Sequence, residues 1–200
     1  MKRTSPAALA NLAPLTAALR ELLPASGHLL ELGSGTGEHA VHLARTFPAM
    51  VVQPSDPDPV ARASISAWSA EARLPNLLPP LDLDLRAPAW AGREADAVLC
   101  VNVLHVAPPD AVEALCRGAA RVLAAGGPLV VAGPLARRGA ALQGRLGRFE
   151  RELRAADPAL GIRALEDLLE AGARHGLSAE APRPLPAEGD LLVVLRRAAP

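Results

Sequence analysis

The chain has 200 residues, half of them hydrophobic, and 21 basic side chains balance 21 acidic ones. That length suffices for one domain with a buried core, and the composition excludes an intrinsically disordered chain. Zero net charge leaves no basic excess for a nucleic-acid backbone, and Phe47, Phe149, Trp68 and Trp90 give few platforms for stacking single-stranded bases.

The N-terminus reads Met1-Lys2-Arg3 and then turns Ala- and Leu-rich, as a signal peptide would. Pro6, Asn11 and Pro14 interrupt the apolar run, and Arg20 and Glu21 follow closely. Leu12, Leu15, Leu19, Leu22 and Leu23 recur at helical spacing, so residues 1–24 read as a segment built on an amphipathic helix. No run of eighteen apolar residues exists, and no membrane span is expected. Cys100 and Cys116 cannot make a disulfide framework. Buried thiols in a reducing, cytoplasmic setting are the expectation.

Pro24, Ser26 and Gly27 stop the first helix, and His28–Leu32 reads as a short buried strand. Gly33-Ser34-Gly35-Thr36-Gly37 is a tight turn before a helix from Glu38 to Phe47. Met50–Gln53 is a second strand, followed by the turn-rich Pro54–Pro59 and a helix from about Val60 to Ala72. Leu77–Leu85 is expected to contain a third strand, although Pro79 and Pro80 blur its start. Asp96–Asn102 is a fourth, Asp110–Leu123 a helix closed by Gly126-Gly127, and Pro128–Ala132 a fifth strand. Residues 136–164, polar and arginine-rich with a helix from Arg148 to Ala155, read as a variable insertion before the last helix, Leu165–His175. Leu191–Leu195 is a last strong strand. Strands alternating with helices imply parallel pairing and an α/β layered fold in one domain spanning 1–200.

The glycine turn carries the functional signal. Between a strand and a helix, glycine lets a ligand approach the backbone, and the helix amides point at it. A dinucleotide fingerprint would place its third glycine at position 38, which holds Glu38, a carboxylate that repels a pyrophosphate. A nicotinamide oxidoreductase is therefore the weaker reading, and no Gly-Lys-Ser/Thr follows for a P-loop. What stands is Glu31-x-Gly33-x-Gly35-x-Gly37. An acid to bind ribose hydroxyls belongs about 20 residues on, and Asp56 stands there, with Asp58 placed to cap the next helix. Asp84, near the carboxyl end of the third strand, suits an adenine amino group. Glu31, Asp56, Asp84 and Asn102 all fall near strand carboxyl ends, where open α/β sheets bind ligands. A cofactor whose adenosyl group carries an amino acid, such as S-adenosylmethionine, fits this set.

Glu31-Leu32-Gly33-Ser34-Gly35-Thr36-Gly37 resembles motif I of class I S-adenosylmethionine-dependent methyltransferases. Asp56 is similar to the acid of their motif II, and the Asp84 region to their adenine-contacting stretch. Ser5-Pro6-Ala7-Ala8, Gln53-Pro54-Ser55-Asp56, Asn102-Val103-Leu104-His105, Gly133-Pro134 and Asp157–Arg163 resemble, over nearly the whole chain, the methyltransferase-like 26 family. The resemblance implies a Rossmann-like α/β/α fold with a seven-stranded, mostly parallel sheet and one antiparallel strand, part of it Leu191–Leu195. It implies methyl transfer from S-adenosyl-L-methionine and names no acceptor; a small molecule is expected. Glu31, Gly33, Ser34, Gly35, Gly37, Asp56, Asp84 and Asn102 are the expected cofactor residues. The chain departs from the family at Leu9-Ala10-Asn11, Ala132, Leu135, Ala140–Leu146 and Glu188-Gly189-Asp190, on the acceptor side. A methyltransferase-like binding module without catalysis is the second expectation.

Methyl transfer from a sulfonium is an in-line displacement that needs alignment and water exclusion, and a base only when the acceptor must lose a proton. His105, just past the fourth strand, is the candidate base, and Asn102 the candidate positioning residue. His39 and His42 lie three apart on a helix with no third ligand evident, so no metal site is expected. No Gly-x-Ser-x-Gly elbow exists. The arginines from Arg137 to Arg154 suit a solvated helix face better than an anionic substrate.

Overall fold

A computed structural model describes residues 1–88, 90 and 94–198. The elements run α1 (Pro6–Leu22), β1 (Gly27–Leu32), α2 (Glu38–Thr46), β2 (Met50–Ser55), α3 (Pro59–Ala72) and β3 (Ala97–Val101). A 3₁₀ turn at Leu104–Val106 precedes α4 (Ala111–Val122), β4 (Pro128–Ala136), α5 (Gly144–Ala156), β5 (Arg163–Ala164) and α6 (Leu165–Arg174). Strands β6 (Leu177–Ala179), β7 (Arg183–Pro184) and β8 (Asp190–Arg197) complete the chain.

Strands β2, β1, β3 and β4 are parallel neighbours, and β8 joins β4 antiparallel with β6 beyond it. The sheet has eight strands among the described residues rather than the expected seven, because the two-residue β5 and β7 attach to β4 and β8. The expected third strand forms no ladder. Leu77 and Leu81 make only single bridges to Val52 and Ser55, and Pro79 and Pro80 between them have no amide to donate.

Successive strand residues face opposite layers, and both layers are covered. Leu30, Leu32, Val98, Cys100 and Val131 pack with Leu115 of α4 and Leu168 of α6. Leu29, Leu99, Val101 and Val130 pack instead with Leu15 and Leu19 of α1 and Leu43 of α2. Coverage on both faces explains why the strands read as continuous apolar runs without polar alternation. Helix α1 carries Pro6 in its first turn and is capped by the Ser5 hydroxyl, so it starts six residues ahead of Leu12, the first leucine of its spacing. Asp58 caps α3 through the Val60 amide at 2.8 Å. Helix α5 begins at Gly144, four residues ahead of expectation. Among the described residues no helix is long and apolar enough to cross a membrane.

After β1 the chain moves to β2 on one side, and after α3 it crosses to β3 on the other. The carboxyl ends of β1 and β3 therefore bound the crevice at the switch in strand order.

Candidate active site

The turn after β1 is left-handed at Gly33 (φ +62°), Gly35 (φ +54°) and Gly37 (φ +96°). Only glycine adopts such angles freely. A side chain on Gly33 would meet Val103, and one on Gly37 would meet the Ile65 backbone of α3 at 2.8 Å. At Gly35 a side chain would meet nothing nearer than Gly33 O at 4.0 Å, an ordinary contact. The three glycines thus do different jobs: Gly37 lets α2 and α3 approach, whereas Gly33 and Gly35 line a cleft.

Ser34 ties the turn to β2. Its amide donates to Ser55 O at 2.8 Å, and its buried hydroxyl accepts from Ser55 N at 3.1 Å and approaches Glu31 O at 3.4 Å. The structure therefore does not bring the Ser34 or Gly37 side of the turn to the cleft wall, as the sequence reading had it. Asp56 ends β2 with its carboxylate across the turn. One oxygen accepts from Gly35 N at 2.9 Å and the other from Asp58 N at 2.9 Å. Arg62 of α3 donates to Asp56 O at 2.9 Å and pairs with Asp82 at 2.9 Å.

The cleft measures about 380 Å³, within the range of small-molecule sites. Gly33, Gly35 and Asp56 line it together with Asp84 and Arg86 from the segment after β2, and with Asn102 and Val103, which follow β3. Asn102 is left-handed (φ +57°), a conformation that asparagine adopts more readily than other residues with a side chain. Its amide donates to Ala132 O at 2.8 Å.

Glu31 lies behind the cleft wall, 1 % exposed. Its Oε2 has no hydrogen-bond partner among the described residues, and Oε1 is 3.9 Å from His39. Burial raises its carboxyl above the usual range, an effect the nearby His39 and Ser34 partly oppose. Glu38 occupies the position of a dinucleotide loop's third glycine. Its Oε2 accepts from Ser5 N at 2.7 Å and the Thr36 hydroxyl at 2.8 Å, so the N-terminal segment is anchored on it. Of the two helical histidines, His39 meets Ala8 O at 3.0 Å and His42 the Thr16 hydroxyl at 2.7 Å. Both serve contacts between α1 and α2.

His105 does not line the cleft. It sits in the 3₁₀ turn, 7 % exposed, beside a cavity of about 10 Å³ shared with Asn102 and Gly133. The ring packs edge-on against Phe149 of α5 at 5.1 Å. Burial, with Arg163 and Arg145 nearby, pushes its pKa down to about 4. The imidazole is thus neutral at pH 7 and a weaker base than an exposed histidine.

Eight lining residues, Pro57, Leu83, Leu85, Arg86, Val103, Val106, Ala107 and Pro108, were not among the expected site residues; Arg86 stands two residues after Asp84, and Val106 is half exposed. Arg163 was also missed. Its buried guanidinium donates to Leu104 O at 3.1 Å, Ala159 O at 2.8 Å and Ala107 O, so it clamps the turn that forms the cleft's Val106 wall. Cys100 and Cys116 are buried, each thiol pushed up to about 12, which leaves both protonated.

An adenosyl amino acid fits these residues. The glycine turn gives it backbone access and Asp56 gives ribose an acceptor at the cleft, while the orphaned Glu31 oxygen, buried and not itself lining the cleft, is of a kind that suits an ammonium group. Sheet order and switch-point cleft together define a domain of the Rossmann-like methyltransferase fold. The chain belongs to DUF938, a family described as protein of unknown function, whose profile matches residues 2–196.

Solved structures share the fold at low identity. An O-methyltransferase family protein from Burkholderia thailandensis superposes with a TM-score of 0.78 at 16 % identity, over 93 % of this chain and 56 % of that one. An O-methyltransferase family 2 protein from Planctomyces limnophilus, in complex with apigenin, gives 0.74 at 18 % identity, over 94 % and 62 %. The S-adenosylmethionine-dependent methyltransferase SibL in its apo form gives 0.69 at 21 %, over 96 % and 54 %. The chain spans little more than half the length of these structures.

Proposed function

We propose that this chain is an S-adenosyl-L-methionine-dependent methyltransferase that acts on a small-molecule acceptor. The observation that carries the reading is the hydrogen bond between Asp56 and Gly35, both lining a cleft that Asp84 and Asn102 also line. The similarity to S-adenosylmethionine-dependent methyltransferases supports it through the fold, and the resemblance to the methyltransferase-like 26 family supports it through residues on both sides of the cleft.

S-adenosyl-L-methionine supplies a methyl group on an electron-poor sulfonium. The chain's own residues bind and orient. Gly33 and Gly35 leave the backbone open to the ligand, Asp56 accepts from its ribose hydroxyls, and Glu31, buried next to the turn, holds an unpartnered oxygen in reserve for its ammonium end. Asp84 takes the adenine end. Asn102, fixed by its backbone at the end of β3, aligns the reacting partners, and the Val103–Val106 wall excludes water. His105 takes an acceptor proton only if α5 lifts Phe149 away from it, because the ring is shielded as it stands.

That shielding favours a second reading, a methyltransferase-like module that binds the cofactor without turning it over. Calorimetry with S-adenosylmethionine and S-adenosylhomocysteine tests the first step: absence of heat and of any thermal shift at millimolar ligand defeats both readings. A metabolite screen with labelled methyl donor separates them. A methylated product that disappears with Gly35→Val supports the enzyme, and binding without product supports the module.

A further inference from the structure

We propose that Arg86 is a positioning residue that sets base specificity. It holds Asp84 so that its part of the cleft accepts a purine with a 6-amino donor and rejects the 6-oxo purine. The inference rests on the adenosyl reading above and assigns a role to a residue outside the methyltransferase motifs.

Arg86 engages Asp84 three times. Its amide and Nε donate to Oδ1 at 2.9 and 3.2 Å, and its Nη2 donates to Oδ2 at 2.8 Å. The two-pronged grip fixes the rotation of the carboxylate as a single cation would not. A hydrogen bond from Ala87 N to Asp84 O, at 2.9 Å, closes the turn beneath it. A carboxylate offers about four acceptor positions. Arg86 fills both on Oδ1 and one on Oδ2, leaving a single open acceptor in a defined direction among the described residues. The guanidinium also lowers the Asp84 carboxyl below its usual range, so this oxygen carries no proton to donate. A group that can only accept pairs with the amino group of adenine and opposes the keto oxygen of hypoxanthine.

The pair does little for folding. Asp84 and Arg86 side chains are 37 % and 42 % exposed, and an ion pair at that exposure adds little stability. Its geometry matters for the cleft, which both residues line. The neighbouring Asp82 is paired with Arg62 and does not line the cleft, so Asp84 is the carboxylate of this segment presented there.

Titration calorimetry with S-adenosylhomocysteine and S-inosylhomocysteine, on the full chain, tests the assignment. The wild type is expected to bind the adenosyl compound at least about tenfold more tightly. Arg86→Ala is expected to keep the wild-type melting temperature while the affinity ratio falls at least about fivefold. Arg86→Lys, which keeps the charge and loses the fork, is expected to recover only part of the ratio. An unchanged ratio in Arg86→Ala, with the wild type still binding the adenosyl compound, overturns the role of Arg86 alone. Wild-type preference for the inosyl compound also overturns it, because Arg86 would then be reading the keto oxygen. A wild type that binds neither compound removes the adenosyl reading and this inference together.

Discussion

The carboxylate of Asp56 accepts a hydrogen bond from the amide of Gly35, 21 residues earlier, at 2.9 Å. The same carboxylate accepts from Asp58 N, two residues later, at 2.9 Å. One side chain therefore sets the distance between the glycine turn and the start of α3, and it remains at the cleft wall. Asp56→Ala leaves two amides without this acceptor and is expected to lower stability by about 1–3 kcal/mol. Adenosyl binding is expected to weaken at least about tenfold, or about 1.4 kcal/mol. Denaturant titration and calorimetry on the same variant give the two quantities, and unchanged affinity would remove Asp56 from the binding set.

Gly35 and Gly37 separate binding from folding. Gly37→Ala adds a methyl 2.8 Å from the Ile65 backbone at φ +96°, so a loss of about 2–4 kcal/mol is expected from overpacking and strain together. Gly35→Ala makes only an ordinary contact with Gly33 O and carries only the left-handed penalty of about 1–2 kcal/mol. Its cost is expected in ligand affinity. Melting curves should rank Gly37→Ala well below Gly35→Ala, and ligand titrations should show Gly35→Ala impaired while folded.

The buried His105 makes stability fall in acid. Its folded-state pKa of about 4 lies below the ordinary 6.5, so below pH 6.5 the unfolded chain binds the proton more readily. The contribution is complete above pH 6.5 and is lost as pH falls towards 4. Within that window the slope attributable to this residue approaches about 1.4 kcal/mol per pH unit. Urea unfolding of wild type and His105→Asn between pH 7 and pH 4 should show the shallower slope in the variant. Parallel slopes would mean that the ring is not shielded in solution.

Glu31 works in the opposite direction. Its carboxyl is raised above the ordinary 4.5, chiefly by burial, so the folded state holds the proton more tightly than the unfolded one. The stability this gives is present below pH 4.5 and is lost as pH rises through the raised folded value. Glu31→Gln removes the titration. It is expected to gain stability relative to wild type as pH rises from 5 to 8 and to bind the ammonium-bearing ligand more weakly. A variant that follows the wild-type pH profile would show that Glu31 does not ionise over this range.

Arg163→Met tests the clamp on the cleft wall. It leaves the carbonyls of Leu104, Ala107 and Ala159 without their donor, a loss of about 1–3 kcal/mol. Faster hydrogen exchange is expected at Val106, whose amide donates within the same turn to Val103 O at 3.0 Å. Exchange unchanged at Val106 would show that the turn stands without the clamp.

What the sequence by itself determined follows from local rules. His28–Leu32 and Asp96–Asn102 read as buried strands because their apolar runs, interrupted only by Glu31, show no regular polar alternation, as coverage of both sheet faces requires. The glycine spacing declared its turn because only glycine takes those angles, and the Glu38 in place of a third glycine separated that turn from a dinucleotide loop before any coordinates. Asp56 was legible from its distance along the chain, since one strand–helix–strand repeat of this size returns it to the same sheet edge.

What only the tertiary structure decided concerns which way side chains turn and what encloses them. Ser34 sits inside the motif but turns into β2, and Leu77–Leu85 looked like a strand until its two prolines left it without a ladder. His105 reads as an accessible base until Phe149, 44 residues downstream in the order of the chain, covers it. No local signal in the sequence marked Arg86 or Arg163 for a role at the site, yet one orients a carboxylate in the cleft and the other holds its wall by carbonyls 56 and 59 residues away. Backbone preference is written in a few neighbouring residues, whereas burial and the partners that come with it depend on segments brought together by the fold.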